Sequence, residues 1–171
     1  MPELEISYEP EIWAPVAEEE AGRHEVPEVA RVLAGLREYA NDPGSGRRFL
    51  LRAEPVEPPI VVDVTAVVLA VRTSRAGAES AFPEAAAEQL EDVQLGNGVV
   101  ACRYVRFLQV AELLPEEPGG EVFVAELHYV RAIQDVDPGC VLIATVVTPR
   151  ISDLTGITEQ VEELVRLATV S

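Results

Sequence analysis

Lysine is missing from this chain: all 13 basic residues are arginines, set against 30 aspartates and glutamates. The formal net charge is −17. Such a balance repels phosphate backbones and anionic lipid surfaces, so neither a nucleic acid nor a membrane is an expected partner. Cysteine and histidine are scarce, with two of each. Cys102 and Cys140 make neither a disulfide framework nor a CxxC metal pair, and free thiols are expected. Long apolar runs are lacking too. The longest, from Val64 to Val71, is interrupted by Thr65 and falls well short of a membrane span. The opening MPELEISYEPEIWAPVAEEE has no basic stretch followed by an apolar one. It does not read as a secretory signal, and a cytoplasmic protein is expected.

What is present fits one folded unit. Hydrophobic residues make up 48% of the 171 positions, enough for a single substantial core. Residues 1–26 read as an acidic, irregular lead-in, with Trp13, Ile12 and Val16 able to anchor it. Residues 27–171 read as a single α+β domain. VPEVARVLAGLREYAND is periodic at helical spacing through Val29, Val32, Leu33, Leu36, Tyr39 and Ala40, and Pro27 suits its first turn. FLLRAE predicts a short strand, and IVVDVTAVVLAVRT a long β-branched one. GAESAFPEAAAEQLEDV predicts a second helix starting near Ser80, with Phe82, Ala86, Leu90 and Val93 inward.

Three strands follow, at 99–111, 121–134 and 139–148. Their short links, ELLPEEPGG and DVDPG, force antiparallel neighbours. SDLTGITEQVEELVRLATV closes the chain as an amphipathic helix with Ser152 as its expected cap. The strand after Gly96-Asn97-Gly98 is apolar at both its even and its odd positions, so it needs cover on both sides. Three helices on an antiparallel sheet of about five or more strands supply part of that cover. A homodimer interface is the expected remainder.

LGNGVVACRYVRF, EVFVAELHYVRAI, CVLIATVVTP and ITEQVEELVRLATV, a strand after a glycine turn, a meander and a closing amphipathic helix, resemble the PsbP-like superfamily, which includes LpqN/DcrB-like bacterial proteins. The resemblance spans roughly residues 48–171 and rests on element order and turn placement. It implies a central antiparallel sheet sandwiched by helices, and accessory or binding proteins with few enzymes. LpqN-type members are exported lipoproteins, a point on which this sequence departs from the pattern. The resemblance supplies no functional residue.

Chemistry-bearing residues are few. His128 lies two residues from Glu126 on one strand face, a pair able to bind a metal or pass a proton. No third ligand is visible, so a half-buried structural pair is the expectation. His24 sits beside EEEAGR on a solvated acidic stretch. Asp63 shares its strand face with Thr65, and Arg103 and Arg106 lie on another. A buried Asp needs a partner, so an Asp63–Arg salt bridge is expected, either structural or at the rim of a polar site.

The cysteines read as inert core thiols. QDVDPGC lacks the rest of a calcium loop and reads as a hairpin turn. NDPGSGRR leaves a helix instead of entering one, unlike a phosphate loop. GNGVVA fits the loose dinucleotide pattern in the wrong context and reads as a turn. No catalytic residue, cofactor site or metal site is assigned; Asp63, Arg103, Arg106, Glu126 and His128 are the candidates for a polar site. The expected function is a non-enzymatic accessory or adaptor protein with a protein partner, a basic one suiting the acidic surface. The alternatives are a small-molecule carrier with a pocket between helix and sheet, and an enzyme centred on Glu126 and His128.

Overall fold

In the computed structural model of the chain, which describes residues 3–15, 46–53, 60–109 and 123–171, the Gly96-Asn97-Gly98 turn closes a β-hairpin. Its three residues have φ of 94°, 52° and 77°, the left-handed region that glycine and asparagine tolerate best. In chain order the strands are β1 (Leu4–Glu5), β2 (Trp13–Pro15), β3 (Arg47–Arg52), β4 (Val61–Val68), β5 (Leu90–Gly96), β6 (Val99–Gln109), β7 (Phe123–Ile133), β8 (Cys140–Thr148) and β9 (Thr169–Val170). Two described helices accompany them, α1 (Ser74–Ala81) and α2 (Leu154–Leu167). Seven strands form one antiparallel sheet in the order β2-β3-β4-β8-β7-β6-β5, and β1 pairs with β9 apart from it.

The fold is therefore α+β, with a sheet larger than about five strands. Both extra strands have a physical origin. Trp13–Pro15 pair with Leu50–Arg52, and Trp13 is buried as the anchor of the lead-in. Leu90–Gly96 belong to the hairpin, not to a helix. The expected helix over 80–93 forms instead at 74–81, because the Thr73 side chain caps it by accepting the Ala76 N–H at 3.0 Å. Pro83 cannot continue it, and a single 3-10 turn at Ala87–Gln89 leads into β5.

The closing helix also starts later than its expected cap. A 3-10 turn covers Ile151–Asp153, and Asp153, not Ser152, precedes α2 without a side-chain cap bond. The helix expected at 27–41, the link at 112–120 and PVEPP lie outside the described residues.

The three-strand meander agrees with the sequence reading, β6, β7 and β8 being sequential antiparallel neighbours. Cys102 faces Val130 and Cys140 faces Ile133 across the ladders. β7 thus separates the two thiols, both are free, and burial raises both thiol pKa values.

Register explains why β6 is apolar on both sides. Ala101, Leu127, Tyr129, Leu142, Ala144 and Val146 fall on the face covered by α2, whose buried Ile157, Val161, Leu164 and Val165 complete that core. Each buried Leu, Ile or Val among these contributes roughly 1.5–3 kcal/mol by leaving water. Cys102, Tyr104, Val130 and Val141 fall on the opposite face, against Ala78 of α1. Gly77 lets α1 lie close, since a Cβ there would meet Val130 at 3.1 Å. These two faces are called the α2 face and the α1 face below.

Ser74 ties α1 to the sheet. The β6–β7 pairing runs up to Cys102 and Val130; two residues further, Ser74 Oγ donates to Val100 O at 2.8 Å and accepts the Ala132 N–H at 2.9 Å. The hydroxyl bridges backbone groups that a continued ladder would have paired. Ser74→Ala leaves both without that partner and is expected to cost about 1–3 kcal/mol in chemical denaturation. Unchanged stability would show that water replaces the hydroxyl.

Candidate functional site

The sheet register sorts the five polar candidates. Asp63, Arg106, Glu126 and His128 point to the α1 face, and Arg103 to the α2 face. Arg103 and Arg106 are three residues apart on a strand of period two, so they cannot share a face. The expected Asp63–Arg pair forms with neither of them, because β8 and β7 lie between β4 and β6. Its partner is Arg47 on β3, which donates to both Asp63 oxygens at 2.9 and 2.6 Å and lies 4.7 Å from the Phe49 ring centre.

Glu126 and Arg106 face each other across β6 and β7, and Arg106 Nε donates to Glu126 Oε2. That hydrogen bond holds the Glu126 pKa below the usual carboxylate range. The same oxygen lies 3.3 Å from His128 Nε2, and His128 Nδ1 is 2.9 Å from Thr145 Oγ1. A carboxylate only accepts, so the neutral ring donates from Nε2 and accepts the Thr145 hydroxyl at Nδ1. The ring is wedged between Phe82 (4.5 Å between ring centres) and Tyr104 (5.6 Å), and it is only 8% exposed. Burial pushes the His128 pKa down, more strongly than Glu126 pulls it up. Among the described residues no three His, Cys, Asp or Glu side chains are grouped to hold a metal ion.

This arrangement fixes a pH dependence. The unfolded chain takes up a proton at His128 near pH 6.5, while the folded one resists until lower pH. Stability from this group is therefore present above pH 6.5 and lost as pH falls through the lower folded value. Glu126 adds a second loss below about pH 4.5, the ordinary carboxylate value. Melting temperature should fall between pH 7.5 and 5.5, and His128→Gln should flatten that first decline. An identical slope in the variant would place the titration elsewhere.

Sequence reasoning missed the cluster around Arg103. On the α2 face its guanidinium bonds Glu91 at 2.6 Å and lies 3.6 Å from Glu162, which accepts the Tyr129 hydroxyl at 2.7 Å. These residues border a groove of about 750 Å³ between the β5–β6 hairpin and α2, lined also by Val105, Thr155 and Glu159. Reading Gly96-Asn97-Gly98 as a hairpin turn would have set Glu91 opposite Arg103; nothing in the sequence marks Glu162. Smaller clefts lie at Arg72, Asp92 and Gln134, about 610 Å³, and beside β1, about 540 Å³. None of these three includes His128.

The geometry thus defines an α+β protein with a long antiparallel sheet, helices packed on opposite faces and an acidic groove beneath the second helix. No family model matches the chain, and no curated protein matches its sequence. Solved structures share the fold. One is a protein of Bacteroides thetaiotaomicron at a TM-score of 0.53 and 8% identity, over 98% of this chain and 45% of that one. The chain thus spans less than half of that protein's length. Another is LpqN, involved in cell envelope biogenesis of Mycobacterium tuberculosis, at a TM-score of 0.51 and 9% identity, over the whole of this chain and 84% of LpqN. At such identities the likeness is one of fold. No described helix is long and apolar enough to cross a membrane.

Proposed function

We propose that the protein is a non-enzymatic accessory or adaptor protein of PsbP-like type, acting by protein–protein interaction. The observation that carries this reading is an apolar patch on the α2 face where the described β6–β7 ladder ends at Gln109 and Phe123. Phe107 and Phe123, two of the four phenylalanines, are diagonal neighbours there and are 55% and 44% exposed. Large rings left in water in this way mark interaction sites more often than chance decoration. The enzyme alternative has less to support it, since Glu126 is engaged by Arg106 and His128 is wedged between two rings.

The test is affinity capture from the native host at low salt with the parent chain, Phe107→Glu and His128→Ala in parallel. A partner retained by His128→Ala and weakened about tenfold or more by a folded Phe107→Glu is the expected result. An activity lost in His128→Ala, with no partner at any salt, would sink the adaptor reading.

A further inference from the structure

The β6 strand is longer than its neighbour on one side. Its residues Val105–Gln109 pair with β7 at Phe123–Leu127, but pairing with β5 stops at Leu90 and Tyr104. Among the described residues, no strand lies on the outer side of those five positions. Every second one has its N–H and C=O directed away from β7 with no strand among the described residues to pair them, a template for another strand. Proteins normally guard such an edge with proline, lysine or an inward charge. Here the segment reads Val-Arg-Phe-Leu-Gln, and its one charge, Arg106, is neutralised by Glu126.

The open edge adjoins two features of the α2 face. Phe107, Phe123 and Ile151 lie exposed beside it, Ile151 at 38%. Among the described residues, the groove next to Val105 carries Glu91, Glu159 and Glu162 against the single cation Arg103, already paired to Glu91. A strand laid along Val105–Gln109 would turn alternate side chains toward this apolar and acidic surface.

We propose that the open edge of β6 takes an extended, basic segment of a partner protein as an added strand, its cationic side chains reaching toward Glu91, Glu159 and Glu162. This rests on the adaptor reading and names its surface and the chemistry of the partner. Charge decides the occupant. A second copy of this chain, carrying a net charge of −17, would bring like-charged grooves together, whereas a basic strand is drawn in.

The test titrates the full, isotope-labelled chain with a peptide of about ten residues alternating Arg and Val, followed by NMR at low salt. Two controls are a Glu–Val twin and an Arg-Pro-Pro repeat of equal charge, which cannot form the ladder. The expected result is saturable binding of the Arg–Val peptide alone, with the largest shifts and new exchange protection at Val105–Gln109. Glu159→Gln combined with Glu162→Gln should weaken it about tenfold and reduce its salt dependence.

Shifts centred elsewhere, equal binding of either control, or a double variant that binds unchanged would each overturn the proposal. Shifts at Val105–Gln109 that follow the protein's own concentration would overturn it in favour of a second copy. If no peptide binds while Phe107→Glu still loses a captured partner, the adaptor reading stands and the strand-addition site falls.

Discussion

Tyr129→Ala is expected to lower the stability of the fold by about 3–5 kcal/mol, the range for deleting a buried aromatic ring. Tyr129 is fully buried on β7, the strand that joins β6 to β8. Its ring fills the space beneath α2 alongside Leu127, Leu142 and Val161. Its hydroxyl donates from within the core to Glu162, a residue of the groove wall, at 2.7 Å, so one side chain ties the core to the helix that forms that wall. Burial and the Glu162 carboxylate push its pKa well above the usual phenol value, so it remains a donor throughout the working range. Tyr129→Phe keeps the ring and leaves Glu162 near Arg103, and should cost only about 1 kcal/mol. Urea denaturation of the three proteins at neutral pH makes the comparison. If Tyr129→Ala lost no more than Tyr129→Phe, the hydrogen bond and not the packed ring would be what Tyr129 supplies.

The parts of this architecture legible in the sequence are those set by period and by short links. β-branched runs and the DVDPG turn make β7 and β8 antiparallel neighbours, as the Cys140–Ile133 pair at the turn shows. The stripe of Ile157, Val161, Leu164 and Val165 gave α2 its buried face. Residues 77–93 read as one helix because alanine-rich sequence favours it, while the outcome depends on Thr73 capping early, Pro83 stopping the helix and a hairpin turn drawing Leu90–Gly96 into the sheet.

The candidate site was legible in the same uneven way. Glu126 and His128 share a strand, so their proximity follows from a period of two. Asp63 meets Arg47 through the β3–β4 pairing, and Glu91, Arg103 and Glu162 meet through three separate elements. Such encounters are set by strand order, which no local pattern encodes.

The arginines now divide by role. Arg47, Arg103, Arg106, Arg150 and Arg166 each lie against a carboxylate. Exposed pairs of this kind are each worth little. Their collective effect is to leave the surplus acid uncompensated, and near the open end of β6 that surplus is gathered in a groove. Arg131 is different, since its hydrogen bonds run to backbone carbonyls. It points from β7 into the end of α2, where Nη1 donates to Val165 O at 2.8 Å, Ala168 O at 2.9 Å and Arg166 O at 3.2 Å.

Arg131→Ala is accordingly expected to cost about 2–4 kcal/mol. The last carbonyls of a helix have no partner within it, and a cation there also answers the negative end of the helix dipole. Burial pulls the Arg131 pKa down, yet a guanidinium keeps its charge at any pH the fold survives. Removing it strips the carbonyls of a charged donor, at about 1–3 kcal/mol for a group left unsatisfied, and also removes the packed alkyl stem. Arg131→Met retains most of the stem and should recover only the smaller, packing part of the loss.

The damage should also have an address. α2 runs directly into β9, which pairs with β1, and Glu3 and Ser171 exchange backbone hydrogen bonds at 2.9 and 3.0 Å. Hydrogen exchange at those two amides should quicken in both variants, ahead of the amides in β7 and β8. If both variants stayed within about 0.5 kcal/mol of the parent, the spread of ordinary surface changes, water would be serving the carbonyls in place of Arg131. If exchange quickened uniformly instead, Arg131 would be a support of the whole core and not the clasp of its C-terminal end.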